Sequence, residues 1–338
     1  MVNILFKRSL LLNRLVVFFG ALLLSFLSWS DPLCESLSAG LADQYPTYIQ
    51  KQAMNPQGRI ISWSRVGSED GKPVFYAHGN PGSRFELLFF HEVAEKENVT
   101  FYLMERPGFG CSEFVKNYSL LDYAQDLKWF ISFLKIDTPV NLMGWSSGGP
   151  PMLSFAKAFP DLTNKVVIAS SYSDFGEMAE AKALMRQYHR PGPMLSDKTP
   201  RLFHGLVSLV GWASHKLPNV YFRVTEKEVS KADRMILESG HIKPLFLLNQ
   251  DHAFAQGAQG AIQDLEVQWQ PWPFDLASIM VPVLLLQGGE DQLVPKEFAR
   301  HLHQNLAHST LQLFSDQGHL FVLQLKYQRE ALMWLGSH

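Results

Sequence analysis

The sequence predicts an α/β fold in which a mostly parallel sheet, flanked by helices, is interrupted by a helical insertion. Three observations predict it. Short apolar runs end repeatedly in glycine-bearing loops, as at Val74–Ala77, Val99–Met104 and Val140–Met143. A helical stretch, Leu120–Leu134, lies between the last two, and strands alternating with helices make parallel crossovers covered on both faces. From about Asp174 to about Pro273 that alternation gives way to helical patterning, and afterwards it resumes.

The chain opens on a leader-like segment. Lys7, Arg8 and Arg14 precede an apolar run from Leu15 to Leu27, after which polar residues begin, the order of a secretory signal. The run is shorter than the roughly 20 apolar residues of a spanning helix, although Leu10–Leu12 lengthen it if Arg14 reaches outward. Residues 1–30 are therefore expected to be a signal peptide, cut after Ser30, or a retained anchor that associates with the membrane through residues 10–29. The expected location is outside the cytoplasm, periplasmic or secreted, or anchored at the membrane; an amphipathic helix on a cytosolic protein is the third reading.

Residues 31–173 form the first part of the expected core. Tyr48–Met54 and Arg59–Val66 bracket the turn cluster Asn55-Pro56-Gln57-Gly58 and read as a hairpin. Val166–Ser170 is a further strand-like run. In the insertion, residues 174–273, Thr225 and Glu228 have capping-box spacing ahead of Val229, Ala232, Met235 and Ile236. Its apolar residues, Leu202, Phe203, Leu206, Val207, Leu209, Val210, Trp212 and Leu245–Leu248, are expected mostly to pack into a core. Residues 274–338 complete the fold with a strand at Val281–Leu286, a helix near Pro295–Leu306, a strand at Thr310–Phe314 and a last helix to Trp334.

At 338 residues, 46% hydrophobic and 18% charged, the chain has the material for a large packed core. A formal net charge of -2 offers no broad basic surface to neutralise phosphates, so nucleic acid is not an expected partner. The two cysteines, Cys34 and Cys111, are too few for a cysteine-rich metal site, and no metal is expected. Their pairing is disfavoured, because Cys34 lies in the leader-like stretch and Cys111 beside a core loop.

The chemistry is carried by Gly144-Trp145-Ser146-Ser147-Gly148, set directly between a strand-like and a helix-like run. A serine lifted on a strand-to-helix turn exposes its hydroxyl, and the new helix points N–H groups and its positive dipole end at the site. Ser146 is the candidate nucleophile. Upstream, His78-Gly79-Asn80-Pro81-Gly82-Ser83 follows a strand run at the place of a second oxyanion donor. Pro81 has no N–H, which leaves Asn80 and Gly82; Asn80 is the better placed if the loop turns after Gly79. With the N–H of Ser147 it would hold an oxyanion. A nucleophilic serine needs a base oriented by a carboxylate, in the chain order Ser, acid, His. Asp291, on the loop after Val281–Leu286, is the first choice of acid, with Glu290 and Asp174 as competitors. His319 enters the last helix from a loop and is the candidate base. His301, His303 and His308 read as surface residues, and His78 as a support of its loop.

From about residue 45 onward the chain resembles the α/β-hydrolase superfamily, and within it bacterial hydrolases with H-G-x-P-G-S-R, D-R-P-G-x-G-x-S and G-W-S-x-G-G-P motifs. Here these stand as His78–Arg84, Glu105–Ser112 and Gly144–Pro150, and Pro271–Leu276 resembles that group's return to the core. Glu105 departs from the usual aspartate. The resemblance implies an α/β-hydrolase fold: an eight-stranded, mostly parallel sheet, the site at the strand ends, and the insertion over it as a helical cap. It also implies acyl transfer to water without a cofactor, on a small-molecule ester or amide. A carboxylic ester with an apolar group is the first expectation. Proline-iminopeptidase-like activity is the second, and it needs cap carboxylates such as Glu226 or Glu228. A noncatalytic binding protein on the same fold is the third.

Overall fold

The computed structural model describes Cys34, residues 39–188 and residues 190–337. Residues 1–30, expected to be a signal peptide or anchor, lie outside them. Eight strands form one sheet: β1 (Ile49–Met54), β2 (Ile60–Gly67), β3 (Lys72–Ala77), β4 (Val99–Met104), β5 (Val140–Trp145), β6 (Thr163–Ala169), β7 (Val283–Gly288) and β8 (Ser309–Phe314). Their order is β1-β2-β4-β3-β5-β6-β7-β8. β1 and β2 are the expected hairpin, β2 meets β4 antiparallel, and every later pairing is parallel. β4 and β5 lie on opposite sides of β3, so the connection reverses direction there. Ligand crevices of open α/β sheets form at such a reversal.

Before the insertion the helices are α1 (Ala39–Gln44), α2 (His91–Lys96), α3 (Leu120–Phe133) and α4 (Gly149–Ala158). α3 shows why these segments are helical. Ser119 and Asp122 close a reciprocal capping box, and Leu120, Tyr123, Ala124, Leu127, Phe130 and Ile131 recur at helical spacing on its buried face. The strands obey the other period. Phe75, Leu142, Val166, Ile168, Val283 and Leu285 join α3 and α4 in one core layer, while Val74, Tyr76, Met143, Val167, Leu284 and Leu286 face the other.

Between β6 and β7 come α5 (Ala181–Gln187), α6 (Gly192–Lys198), α7 (Pro200–Lys216), α8 (Pro218–Glu228), α9 (Lys231–Leu237), α10 (Ile242–Ala253) and α11 (Gln259–Gln268); α12 (Lys296–Asn305) and α13 (Leu325–Gly336) follow. Asp174 Oδ1 accepts the N–H of Gly176 at 2.6 Å and of Trp272 at 3.1 Å, which ties the two ends of the inserted segment together.

Two expectations are corrected, and a third, that the insertion's apolar residues mostly pack into a core, holds for most of them but not for four. Thr225 and Glu228 form no capping box: both lie inside α8, where the Thr225 hydroxyl donates to the Tyr221 carbonyl at 3.1 Å. Val229 then turns extended, and Ser230 caps α9 by accepting the Asp233 N–H. Cys34 and Cys111 are joined in a disulfide, which links positions 77 residues apart; separation along the chain hid this contact. Leu202, Leu206, Leu209 and Val210 are exposed, because α7 turns Phe203, Gly211 and Ser214 inward and these four fall on its other face.

Candidate functional site

Ser146 follows β5 with a φ of 56°, a left-handed conformation unusual for a residue with a side chain, and opens the turn into α4. The turn needs glycine at 148, where a Cβ would sit 2.0 Å from the Ala77 carbonyl oxygen of β3. The motif therefore reflects close backbone approach between neighbouring strands as much as chemistry.

His319 follows β8 on a short loop. Its Nδ1 lies 2.8 Å from Asp291 Oδ2. Asp291 is fixed in turn: Oδ1 accepts the N–H groups of Leu293 and Val294, both at 2.8 Å, and Gln287 Nε2 reaches Oδ2 at 3.2 Å. Burial disfavours the imidazolium of His319, but Asp291 and then Asp233 outweigh it, and the pKa is raised. The ring sits beside Trp145, centroids 5.4 Å apart, and Trp145 Nε1 donates to the His319 carbonyl at 3.1 Å.

Ser146 and His319 both line one cavity of about 120 Å³. Asn80 and Pro81 border it from the β3 loop, Phe89, Leu293 and Leu320 add apolar surface, and Tyr221, Val229 and Phe246 close it from the insertion. The loop's N–H groups are largely spoken for: that of Gly79 donates to Glu86 and that of Ser83 to Asn249 Oδ1. Glu86 is a buried carboxyl that burial pushes up to about 7, against the Gly79 N–H and the Tyr76 hydroxyl, which favour its charge. His78 supports the loop, as expected. Its Nε2 accepts the Arg106 N–H at 3.1 Å and its Nδ1 donates to the Gly79 carbonyl at 2.8 Å, while burial and then Arg106 hold its pKa well below the usual value.

Of the competing acids, Glu290 is exposed and Asp174 bonds at the neck of the insertion. Glu105 sits in the buried loop behind the site. Burial opposes its charge, but Arg84 and His252 prevail and hold its carboxyl at about 2. Residues that sequence reasoning missed come from the insertion. Asp264 accepts from Asn80 Nδ2 at 2.8 Å and pairs with Arg106, which also donates to the carbonyls of His78 and Gly79. Gln268, one turn on, donates to the Ser147 carbonyl at 3.0 Å. Polar residues at i and i+4 beside buried Ala261 were the available signal. Asp233 accepts the N–H groups of His319 and Leu320 at 2.9 and 2.7 Å.

This architecture defines an α/β protein whose candidate site is assembled from loops at the C-terminal ends of parallel strands. A family model described as alpha/beta hydrolase fold matches residues 72–324, and the chain belongs to that family. Among curated relatives, an uncharacterised hydrolase, YcgS of Bacillus subtilis, is 22% identical over 280 residues, covering 82% of this chain and 95% of its own. A pimeloyl-[acyl-carrier protein] methyl ester esterase of Neisseria meningitidis is 24% identical over 256 residues, covering 73% and 86%. An esterase from Exiguobacterium antarcticum has a similar structure, with a TM-score of 0.62, 20% identity and coverage of 86% of this chain and all of that one. The protein is a hydrolase of the α/β family with esterases among its relatives.

Proposed function

We propose that this protein hydrolyses carboxylic esters carrying an apolar group through an acyl-enzyme on Ser146. The observation that carries the reading is the meeting of Ser146, on its left-handed turn, and the Asp291-bonded His319 at one cavity. Ser146 Oγ attacks the ester carbonyl carbon as His319 Nε2 takes its proton, while Nδ1–H donates to Asp291. The N–H groups of Asn80 and Ser147 hold the oxyanion, each donor worth about 3 kcal/mol in such sites. Collapse expels the alcohol with the proton from His319, and water, deprotonated by the same histidine, releases the acid and frees Ser146.

The apolar wall of Phe89, Phe246, Leu293 and Leu320 supports an apolar group on the substrate. The helices of residues 174–273 act as the cap, since Tyr221, Val229 and Phe246 close the cavity. Neither Glu226 nor Glu228 is among the described residues lining it, and Glu86 already accepts from Gly79 and Tyr76, so nothing favours capture of a free amine. Export after cleavage of residues 1–30 would leave Cys34 in the mature chain, and its disulfide with Cys111 fits an oxidising compartment.

The test is labelling by a fluorophosphonate probe followed by turnover on a panel of short acyl esters. Wild type should label and turn over. Ser146→Ala should lose both while keeping its fold, and Ser147→Ala should lose little, since only its backbone is used. Labelling without turnover on any ester would instead mark a binding protein, and equal losses from both variants would sink the assignment of Ser146.

A further inference from the structure

The strongest unassigned feature is the carboxylate of Asp233. It is buried, it belongs to the insertion, and it is 86 residues away from the histidine whose backbone it holds. Each oxygen has its own donor: Oδ2 takes the His319 N–H at 2.9 Å and Oδ1 the Leu320 N–H at 2.7 Å. The Ser230 hydroxyl adds a third bond, to Oδ2, at 3.0 Å. The approach is close enough to constrain the other side, since a Cβ on Gly318 would fall 2.1 Å from Oδ2. Capping α9 does not require any of this, because a cap is complete with Ser230 accepting the Asp233 N–H.

We propose that Asp233 is a positioning residue for the base: it anchors the His319 loop to the helical insertion, and its carboxylate joins that of Asp291 in favouring the imidazolium. This rests on the reading of His319 as the base of the ester hydrolase. The consequence is that the base is in place only while α9 is seated, so the cap serves the chemistry as well as enclosing the substrate. The charged and titratable groups around the imidazole are Asp291 from the β7 loop, Asp233 from α9, Arg190 from the segment between α5 and α6, and Glu86 across the cavity. Arg190 acts in the opposite sense to the two aspartates. Asp233 is pulled upward by burial, while the two N–H bonds and His319 favour its charged form.

The sign of the effect is fixed. A carboxylate near the ring stabilises the imidazolium, so removing it lowers the histidine pKa, the neutral base survives to lower pH, and the acid limb of kcat/KM moves down. The experiment compares pH profiles of wild type, Asp233→Asn, Gly318→Ala, Ser230→Ala and Asp291→Asn on one short ester, with circular dichroism and thermal unfolding for each. Asp233→Asn should move the limb down by about half a pH unit or more. Its kcat should fall about tenfold through a displaced base, with KM little changed. Gly318→Ala pushes the same carboxylate away from the other side and should move the limb in the same direction, which keeps the proposal testable if Asp233→Asn does not fold. Ser230→Ala removes the helix cap and one of the three bonds to the carboxylate but keeps both backbone N–H bonds; it should lower the melting temperature and move the limb less than Asp233→Asn does. If Asp291→Asn shifts the limb while neither Asp233→Asn nor Gly318→Ala does, Asp233 is only a helix cap and the proposal fails. If Asp291→Asn leaves both limb and rate untouched, the reading of His319 itself is overturned, and the proposal with it.

Discussion

The two sides of the cavity are held by different kinds of bond. On the side of the sheet, Asp291 and Gly79 are fixed by neighbours a few residues away: Asp291 by the N–H groups of Leu293 and Val294, and Gly79 by Glu86. On the side of the insertion the bonds span the chain. Asp264 reaches Asn80 across 184 residues, Gln268 reaches Ser147 across 121, and Asp233 reaches His319 across 86. Local bonds form with the loop and survive while the loop survives. Long-range bonds form only when distant parts of the chain pack together, so they make the site depend on how the insertion packs against the sheet. Several of the insertion's polar bonds end on a catalytic candidate or its immediate neighbour: Asn80, Ser147, His319 and Leu320.

The comparison would break most visibly at Asp291. Asp291→Asn keeps the size but removes the charge and favours the wrong tautomer of His319, so kcat should fall by up to about ten-thousandfold. With burial left to dominate, the histidine pKa drops, and whatever activity survives should show its acid limb at lower pH. Glu290→Gln should change little, being exposed. Asp174→Asn should cost stability by loosening the neck of the insertion while leaving the limb alone. Steady-state rates across pH for the three variants check this; a Glu290→Gln variant as damaged as Asp291→Asn would transfer the role.

On the other side the expected loss is smaller and of a different form. Asp264→Asn keeps an acceptor for Asn80 but removes the charge facing Arg106, whose guanidinium also grips the carbonyls of His78 and Gly79. The His78–Ser83 loop should relax, and kcat should fall about ten- to hundredfold, less than the loss of a whole oxyanion donor at its upper end. The acid limb should stay where it is, because Asp264 does not touch the histidine. Rates measured beside those of Asp291→Asn would separate the two sides, and a shifted limb in Asp264→Asn would show that they are not separable.

The same division decides what the sequence made legible. Strands with period two, the capped α3 and the Gly144–Gly148 turn are local patterns, and they appear where the residues imply them. His319 and Asp291 can be singled out as candidates because a loop at a strand's end has few residues to offer, and the structure bonds the two to each other. Asp233 and Asp264 were not found, because nothing local distinguishes a helix-surface carboxylate from one that will bury against a loop far along the chain. The true cap, Ser230 with Asp233, has the same three-residue spacing as Thr225 with Glu228, and only the chain's turn at Val229 separates them. The exposed face of Leu202, Leu206, Leu209 and Val210 escaped for the converse reason: an apolar helix face states that burial is favourable, not that a partner surface is there.

The Cys34–Cys111 disulfide marks a third case, a long-range link that enters neither side of the cavity. It joins residues 77 apart, and restricting so long a loop in the unfolded chain stabilises the fold by about 2–4 kcal/mol. Cys111 packs against Arg84, and its N–H donates to Glu105 at 2.9 Å, in the buried loop behind the site. Neither cysteine bonds His319, Asp291 or Asn80, and the loop reaches Asn80 at one remove, through Arg106 and Asp264. Replacing both cysteines by serine should therefore lower the melting temperature by roughly 3–6 °C for a chain of this size. At 25 °C it should leave kcat within about twofold and the acid limb unmoved, because an entropic tether stabilises the folded state without changing it. Thermal unfolding and steady-state rates on the same samples test both halves, and reduction of the wild type by a dithiol should reproduce the double variant. A variant that melts like wild type yet has lost its rate would show that the tether reaches the site after all, through His252 on α10, whose neighbours Asn249 and Gln250 bond Ser83 and Pro81 of the loop after β3.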